Sequence, residues 1–407
     1  MNINLTHNFV KRLTQHGGRL FLLAVSLVAL SCSKNAPVTP ETPVMPPVVT
    51  PETPADIPAT YGAGNLKRWT TWKTATDSRF DFLMLGDSYT QGNYYTWRLR
   101  VKLLTAGFAD GGPGYCSFGR YDPTGLYSID GSMDEDELSF TYDPLKWAAQ
   151  RENTYGPCGY VKNTAANATI NVQGKVNLNT LTIIFEKHAN AGNFRYRLNG
   201  GAWTTVSMTS PTQEIGSVDV DVTGLAMSSL DIEPLAAGEI FCGVHSKRSV
   251  NALAMDKVGA AGATAHDFAQ NDLWKTSTQI INPELATIMF GTNEIMQNVS
   301  PADMKVDVQN IINKLREITP NCDILIMAPP ETMYEKEHPQ KYKTADYGNA
   351  LYQVAVANNT AFINYAKVFG PFSQAQVTGG IIDTDRTHPG QVGSQMISDA
   401  MYNMLTK

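Results

Sequence analysis

Phe80-Asp81-Phe82-Leu83-Met84-Leu85-Gly86-Asp87-Ser88-Tyr89-Thr90-Gln91 is the stretch that decides the fold. Phe80 to Leu85 is almost wholly apolar, the pattern of a strand buried on both faces. Gly86 ends it. A helical pattern follows from Tyr94 to Leu104, with Trp97, Val101 and Leu104 spaced i, i+4, i+7 and expected to share its apolar face. A strand that turns directly into a helix is the start of a βα unit. Ser88 lies in that turn, where its hydroxyl is exposed and backbone N–H groups face a bound anion.

The same alternation returns downstream. Leu285–Phe290, Ile324–Ala328 and Ala361–Tyr365 are predicted strands. Met304–Ile318, Tyr347–Ala357 and Gly393–Leu405 are predicted helices. Continuously apolar strands alternating with helices imply a parallel sheet covered on both faces. Ligands bind beyond the carboxyl ends of such strands.

The texture between about Tyr121 and Val244 is different. Short strand-like runs alternate with turn residues: 168–172, 181–185, 194–198, 218–222, 230–232 and 240–244. Asn199-Gly200-Gly201 is a hairpin signal. Helical periodicity is nearly absent, so the segment is expected to be an inserted β-sandwich.

The N-terminus reads as an export signal. Lys11, Arg12 and Arg19 precede an apolar run from Leu20 to Leu30, too short for a bilayer span of about 20 residues. Ser31-Cys32-Ser33 closes the run, which predicts lipidation at Cys32 and an N-terminal membrane anchor; an ordinary cleaved signal is the alternative. The following residues to Pro58 are rich in Pro, Thr, Val and Glu and form an extended spacer. The resulting division is a signal over 1–32, a linker over 33–65, a first core part over 66–120, the insert over 121–247 and a second core part over 248–407. Localisation is expected in a Gram-negative-type cell envelope. The absence of an acidic tag after Cys32 favours the periplasmic side over the cell surface.

With 32 Lys and Arg against 38 Asp and Glu, the net charge is −6 and no basic stripe appears, which argues against nucleic-acid binding. Cys116, Cys158, Cys242 and Cys322 match no zinc spacing. Cys242 and Cys322 adjoin strand-like runs and read as small buried groups. Cys116 and Cys158 could pair.

Three motifs end strands or open helices. Ser88 follows Gly86-Asp87. Asn293 lies in Gly291-Thr292-Asn293-Glu294. Asp385 and His388 are three apart before the last helix. Each alone has a plain structural explanation: a helix cap, an Asx turn, a surface ion pair. Together, in this order, they resemble the SGNH/GDSL hydrolase family. The family's glycine block resembles Val258-Gly259-Ala260-Ala261-Gly262-Ala263-Thr264.

The resemblance covers about residues 80–115 and 250–405. It implies a flavodoxin-like three-layer αβα core and a Ser88–His388–Asp385 triad that needs no metal or organic cofactor. It also implies an oxyanion hole from the Ser88 and Gly262 N–H groups and the Asn293 amide, with Gly259 as rival to Gly262. A narrower resemblance links Gly86 to Thr96, Leu99-Arg100 and Gly111-Gly112-Pro113-Gly114-Tyr115 to bacterial peptidoglycan O-acetylesterases. Those enzymes carry a β-sandwich like a carbohydrate-binding module at the position of this insert, and typically His where this chain has Tyr89. The expected activity is removal of O-acetyl groups from a glycan, peptidoglycan or a plant or host polysaccharide. The competing expectations are a lipase or lysophospholipase of the same superfamily and a non-catalytic glycan-binding lipoprotein.

Asp87 is expected to fix the turn. Glu294 is expected to be a first-turn helix acid rather than a substrate contact. His245, His266 and His338 are assigned no role. Tyr94, Tyr95, Trp97 and Trp203 are candidates for stacking on sugar rings.

Overall fold

The computed structural model describes residues 56–120, 134, 137–150, 157–248, 251–337 and 340–407. Cys32, the expected signal, most of the Pro-rich segment and His338 lie outside them.

The frame is a six-stranded sheet of β1 (Thr60–Tyr61), β2 (Phe80–Gly86), β3 (Leu253–Gly259), β4 (Leu285–Met289), β5 (Asp323–Ala328) and β6 (Ala361–Asn364). Its order is β1-β6-β5-β4-β2-β3. β2 to β6 run parallel, and β1 adds an antiparallel edge. Among the parallel strands the chain starts at β2, steps out to β3, then crosses to β4, β5 and β6. That is the flavodoxin-like doubly wound order.

Alternation along each strand separates two apolar layers. Phe80, Phe82 and Met84 of β2 pack on one face with Trp69 and Trp72, Leu99 and Leu103, and Ile397 and Met401. These come from helices α1 (Lys67–Ala75), α3 (Thr96–Thr105) and α8 (Gln391–Thr406). Leu83 and Leu85 pack on the other face with Trp274 and Ile281, Ile311 and Leu315, and Leu351 and Val354. These come from α4 (Asp272–Ile281), α6 (Pro301–Ile318) and α7 (Thr344–Asn358). Two helix layers around a parallel sheet form the expected αβα core.

The helix after the serine presents a different face from the expected one. Tyr95, Leu99 and Leu103 are buried, whereas Trp97 is 40% and Val101 41% exposed. Two apolar stripes coexist on α3, and the chain enters it with Tyr95 locked in the core, its hydroxyl 2.8 Å from Thr90 Oγ1. That fixes the Leu99 stripe inward. Arg100 is buried as well, because Asp110, Asp134 and Glu137 surround its guanidinium at 2.9 Å.

The insert is two antiparallel sheets. One runs in the order 214–221, 180–187, 240–247, 160–163, 147–150, and the other 204–207, 193–198, 228–234, 170–174, 138–142. Leu181, Ile183, Phe185 and Phe241 of the first face Phe194, Leu230, Ile232, Ile170 and Val172 of the second, a sandwich core. The predicted hairpin is present. Asn199 (φ 51°) and Gly200 (φ 70°) are both left-handed, the conformation a tight two-strand connection demands. Tyr115–Ser117 pairs with 240–247, so sheet structure begins ahead of residue 121. Likewise the sheet takes in residues ahead of Leu66: Ile57 is buried and β1 pairs with β6. No disulfide joins Cys116, Cys158, Cys242 and Cys322.

Candidate active site

In a doubly wound sheet the order reverses at one place, and loops diverge there to leave a crevice. Here that place is between β2 and β4. β2 delivers Ser88 at its carboxyl end, and β4 delivers Gly291 and Asn293 at its own, where α5 (Thr292–Gln297) begins. Asp87 caps a single helical turn, α2 (Ser88–Gln91), its carboxylate accepting the Tyr89 N–H at 2.9 Å. This turn places Ser88 at the sheet edge.

The third segment arrives from the other end of the chain. Residues 383–388 form a turn in which Arg386 adopts a left-handed φ of 65°. The Arg386 N–H bonds Asp383 O at 2.8 Å, and Glu337 pairs with the guanidinium. Asp385 Oδ1 accepts the backbone N–H groups of Thr387 and His388, both at 2.9 Å. Its Oδ2 lies 2.5 Å from His388 Nδ1, and His388 Nε2 lies 2.8 Å from Ser88 Oγ. The carboxylate thus fixes the tautomer with Nδ1 protonated, leaving Nε2 to accept the serine proton.

The electrostatics agree with that polarity. Burial pushes Asp385 up, but the His388 bond and the two backbone N–H groups outweigh it and hold the carboxyl at about 2. For His388, burial pulls down, yet the Asp385 bond and charge, with Asp87 and Asp383 beyond, leave the imidazole above its ordinary value. Asp87 is fully buried, which raises its carboxyl to about 7 despite the Tyr89 N–H bond.

The glycine block lies in the loop after β3. Gly259 is packed: a Cβ there would come within 2.2 Å of Gln91 N. Gly262 has φ 81° with open space around it. The open position suits a backbone N–H presented to a substrate, whereas Gly259 serves close approach of β3 to the serine turn. Asn293 Nδ2 donates to Ala263 O at 2.9 Å, which ties the two loops of this region together.

Three side chains hold this arrangement. Glu294 is buried; it accepts from Ala265 N at 2.6 Å and Gly291 N at 2.8 Å, and burial raises its carboxyl to about 8. It is a staple between loops. Lys257, also buried, donates to Gln91 O at 3.1 Å and Asn93 Oδ1 at 2.9 Å, holding the chain after the serine. Tyr94 stacks on the His388 ring, centroids 5.6 Å apart and planes 14° from parallel. No sequence signal distinguished Lys257, whose charge in an apolar run hid β3 itself. Of the other aromatics considered, Tyr95 belongs to the core. Trp203 is engaged by the guanidinium groups of Arg195 and Arg197, each 4.4 Å from its ring.

Among the described residues, one set of acidic and imidazole groups is close enough to share a cation: Asp81, His245 and Asp256. It lies toward the start of β2, at the opposite end of the strand from Ser88, and Arg79 already pairs with Asp81 at 2.9 Å.

Residues 242–396 match the GDSL-like Lipase/Acylhydrolase family. A solved structure titled "Peptidoglycan O-acetylesterase in action, 5 min" is similar at 16% identity over 84% of this chain and 95% of its own, with a TM-score of 0.66. At that identity the likeness is one of fold, and it spans the insert as well as the core. The Enterococcus faecalis lipase/acylhydrolase (20% identity, 37% of this chain, 75% of that one, TM-score 0.31) is also similar. So is the Geobacillus acetyl-xylooligosaccharide esterase Axe2 in its R55A form (18%, 38%, 74%, 0.32). Among curated proteins none matches the sequence. The strand order, the hydroxyl–imidazole–carboxylate chain at its switch point and the match of residues 242–396 to that family together support a carboxylic ester hydrolase.

Proposed function

We propose that the protein removes O-acetyl groups from a glycan through an acetyl-Ser88 intermediate. The observation that carries this reading is the line Ser88 Oγ, His388 Nε2, His388 Nδ1, Asp385 Oδ2, with contacts of 2.8 and 2.5 Å. His388 takes the Ser88 proton as the oxygen attacks the ester carbonyl. The Ser88 and Gly262 N–H groups and the Asn293 amide receive the oxyanion. The tetrahedral intermediate collapses, the C–O bond to the sugar breaks, and His388 returns the proton to the departing alkoxide. Water, deprotonated by the same imidazole, then attacks the acetyl-serine and releases acetate.

A glycan suits the surroundings of the triad better than a long acyl chain. The groove next to His388 has a volume of about 680 Å³ and is lined by Tyr94, Trp97, Arg98, Gln391, Ser394 and Gln395. Mixed aromatic and polar lining recognises sugars. The neighbour titled as a peptidoglycan O-acetylesterase adds support for acetyl chemistry on a cell-wall or related polysaccharide.

The reading includes export and a lipid anchor at Cys32, with the Pro-rich segment holding the enzyme off the membrane of a Gram-negative-type envelope, facing the periplasm or the exterior. Among the described residues no helix is long and apolar enough to cross a bilayer. Globomycin treatment of expressing cells should block processing, and Cys32→Ala should release the protein from the membrane fraction. The enzymatic test is Ser88→Ala. It should abolish p-nitrophenyl acetate hydrolysis and acetate release from acetylated peptidoglycan, xylan, pectin and sialoglycans while leaving thermal unfolding near that of the parent. Retained hydrolysis removes Ser88 as the nucleophile.

A further inference from the structure

α3 carries three cations, Arg98, Arg100 and Lys102, and they are not alike. Arg100 is matched by Asp110, Asp134 and Glu137, and Lys102 by Asp399 at 2.6 Å. Arg98 has no hydrogen-bond or ion-pair partner among the described residues, and it lines the groove beside the triad. The groove runs between α3 and the first turns of α8, the helix that follows His388. Its floor includes the exposed Trp97, and its triad end is marked by Tyr94 stacked on His388. Asp383 also lines it, but that carboxylate already accepts the Thr384 N–H at 2.6 Å and the Thr384 hydroxyl at 3.2 Å.

An unmatched guanidinium beside an exposed indole has a specific ligand chemistry. The indole offers an apolar face to the C–H face of a sugar ring. The guanidinium offers a planar fork of donors that matches a carboxylate with two parallel bonds. A groove of about 680 Å³ has room for more than one sugar ring. We propose that this groove binds the carboxylate-bearing sugar units of an acidic polysaccharide, with Trp97 as stacking platform and Arg98 as carboxylate receptor. The enzyme therefore prefers acetyl groups on uronic-acid-type glycans over those on neutral ones. The proposal rests on the esterase reading, because that reading puts the acetylated sugar at the Ser88 end of the groove.

The test is competition against p-nitrophenyl acetate hydrolysis by the full chain, using trigalacturonate and uncharged mannotriose. Trigalacturonate should inhibit competitively, and mannotriose about tenfold more weakly, the scale of one charge-assisted contact. Salt should weaken the first and not the second. Arg98→Gln should erase the difference between the two sugars, and Arg98→Lys should restore part of it. Trp97→Ala should weaken both. Lys275→Gln, on α4 across the sheet and paired with Glu317, should behave as the parent. Equal affinity for the two trisaccharides, inhibition by neither, or a preference that survives Arg98→Gln overturns the proposal. The esterase reading fails separately, if Ser88→Ala still turns over the ester. Calorimetric titration of that variant with the same two trisaccharides then decides the groove alone.

Discussion

The Tyr89 hydroxyl donates to the Thr387 carbonyl oxygen at 2.5 Å, joining the residue after the candidate nucleophile to the residue before the candidate base. The two are separated by almost the whole folded chain, yet this half-buried bond sets one loop against the other. Tyrosine here braces the loop that carries His388.

Tyr89→Phe keeps the ring and removes the donor, leaving the Thr387 carbonyl without it. The expected cost is about 1–3 kcal/mol of stability. A loss of about tenfold in kcat/KM should accompany it as the Ser88–His388 distance loosens. Chemical denaturation and p-nitrophenyl acetate kinetics read the two effects; unchanged kinetics with lowered stability would confine Tyr89 to packing.

The imidazole must be neutral to take the serine proton. His388 lies above its ordinary value, so activity should fall on the acid side with a midpoint above 6.5, the value of free histidine. Asp87 is among the charges that raise it. Asp87→Asn keeps an oxygen for the Tyr89 N–H and removes the charge, so the midpoint of the acid limb should move down. A midpoint that stays in place or rises contradicts the electrostatic assignment.

Asn293→Ala should lower kcat by about 10²–10³ with a much smaller change in KM, the scale of losing one oxyanion donor. The same change breaks the bond to Ala263 O, so the variant should also unfold at somewhat lower denaturant. Loss of stability with full kcat would make Asn293 a brace and nothing more.

Gly259 and Gly262 should respond differently to alanine. At Gly259 the new methyl meets Gln91 backbone at 2.2 Å, and overpacking of about 1–3 kcal/mol is expected along with displacement of the serine turn. At Gly262 there is room, and the cost is the left-handed backbone, about 1 kcal/mol. Thermal unfolding of the two variants checks the order.

The αβα core was legible because its strands are short, largely apolar and flanked by Gly or Pro, as at Leu285–Met289 and in the Ile324–Ala328 run of β5. β3 was not, because Asp256 and Lys257 interrupt Leu253–Gly259 with charges that only the folded environment explains. Tyr115 N–H bonds the first at 2.8 Å, and the second reaches Gln91 and Asn93. The insert showed the strands with clear alternation, such as 180–187, and hid short polar ones, such as Thr204–Ser207. The three motifs that meet at the switch point could be read in order along the chain. The brace from Tyr89 and the stacking of Tyr94 on His388 could not, because they depend on where two distant loops come to rest.

Labelling with a fluorophosphonate, followed by peptide mass spectrometry, tests the central claim most directly. The account predicts one modified residue, Ser88, in the parent protein, and label lost or strongly slowed in His388→Ala and absent in Ser88→Ala. Label on another serine, or undiminished labelling of Ser88→Ala, would contradict it.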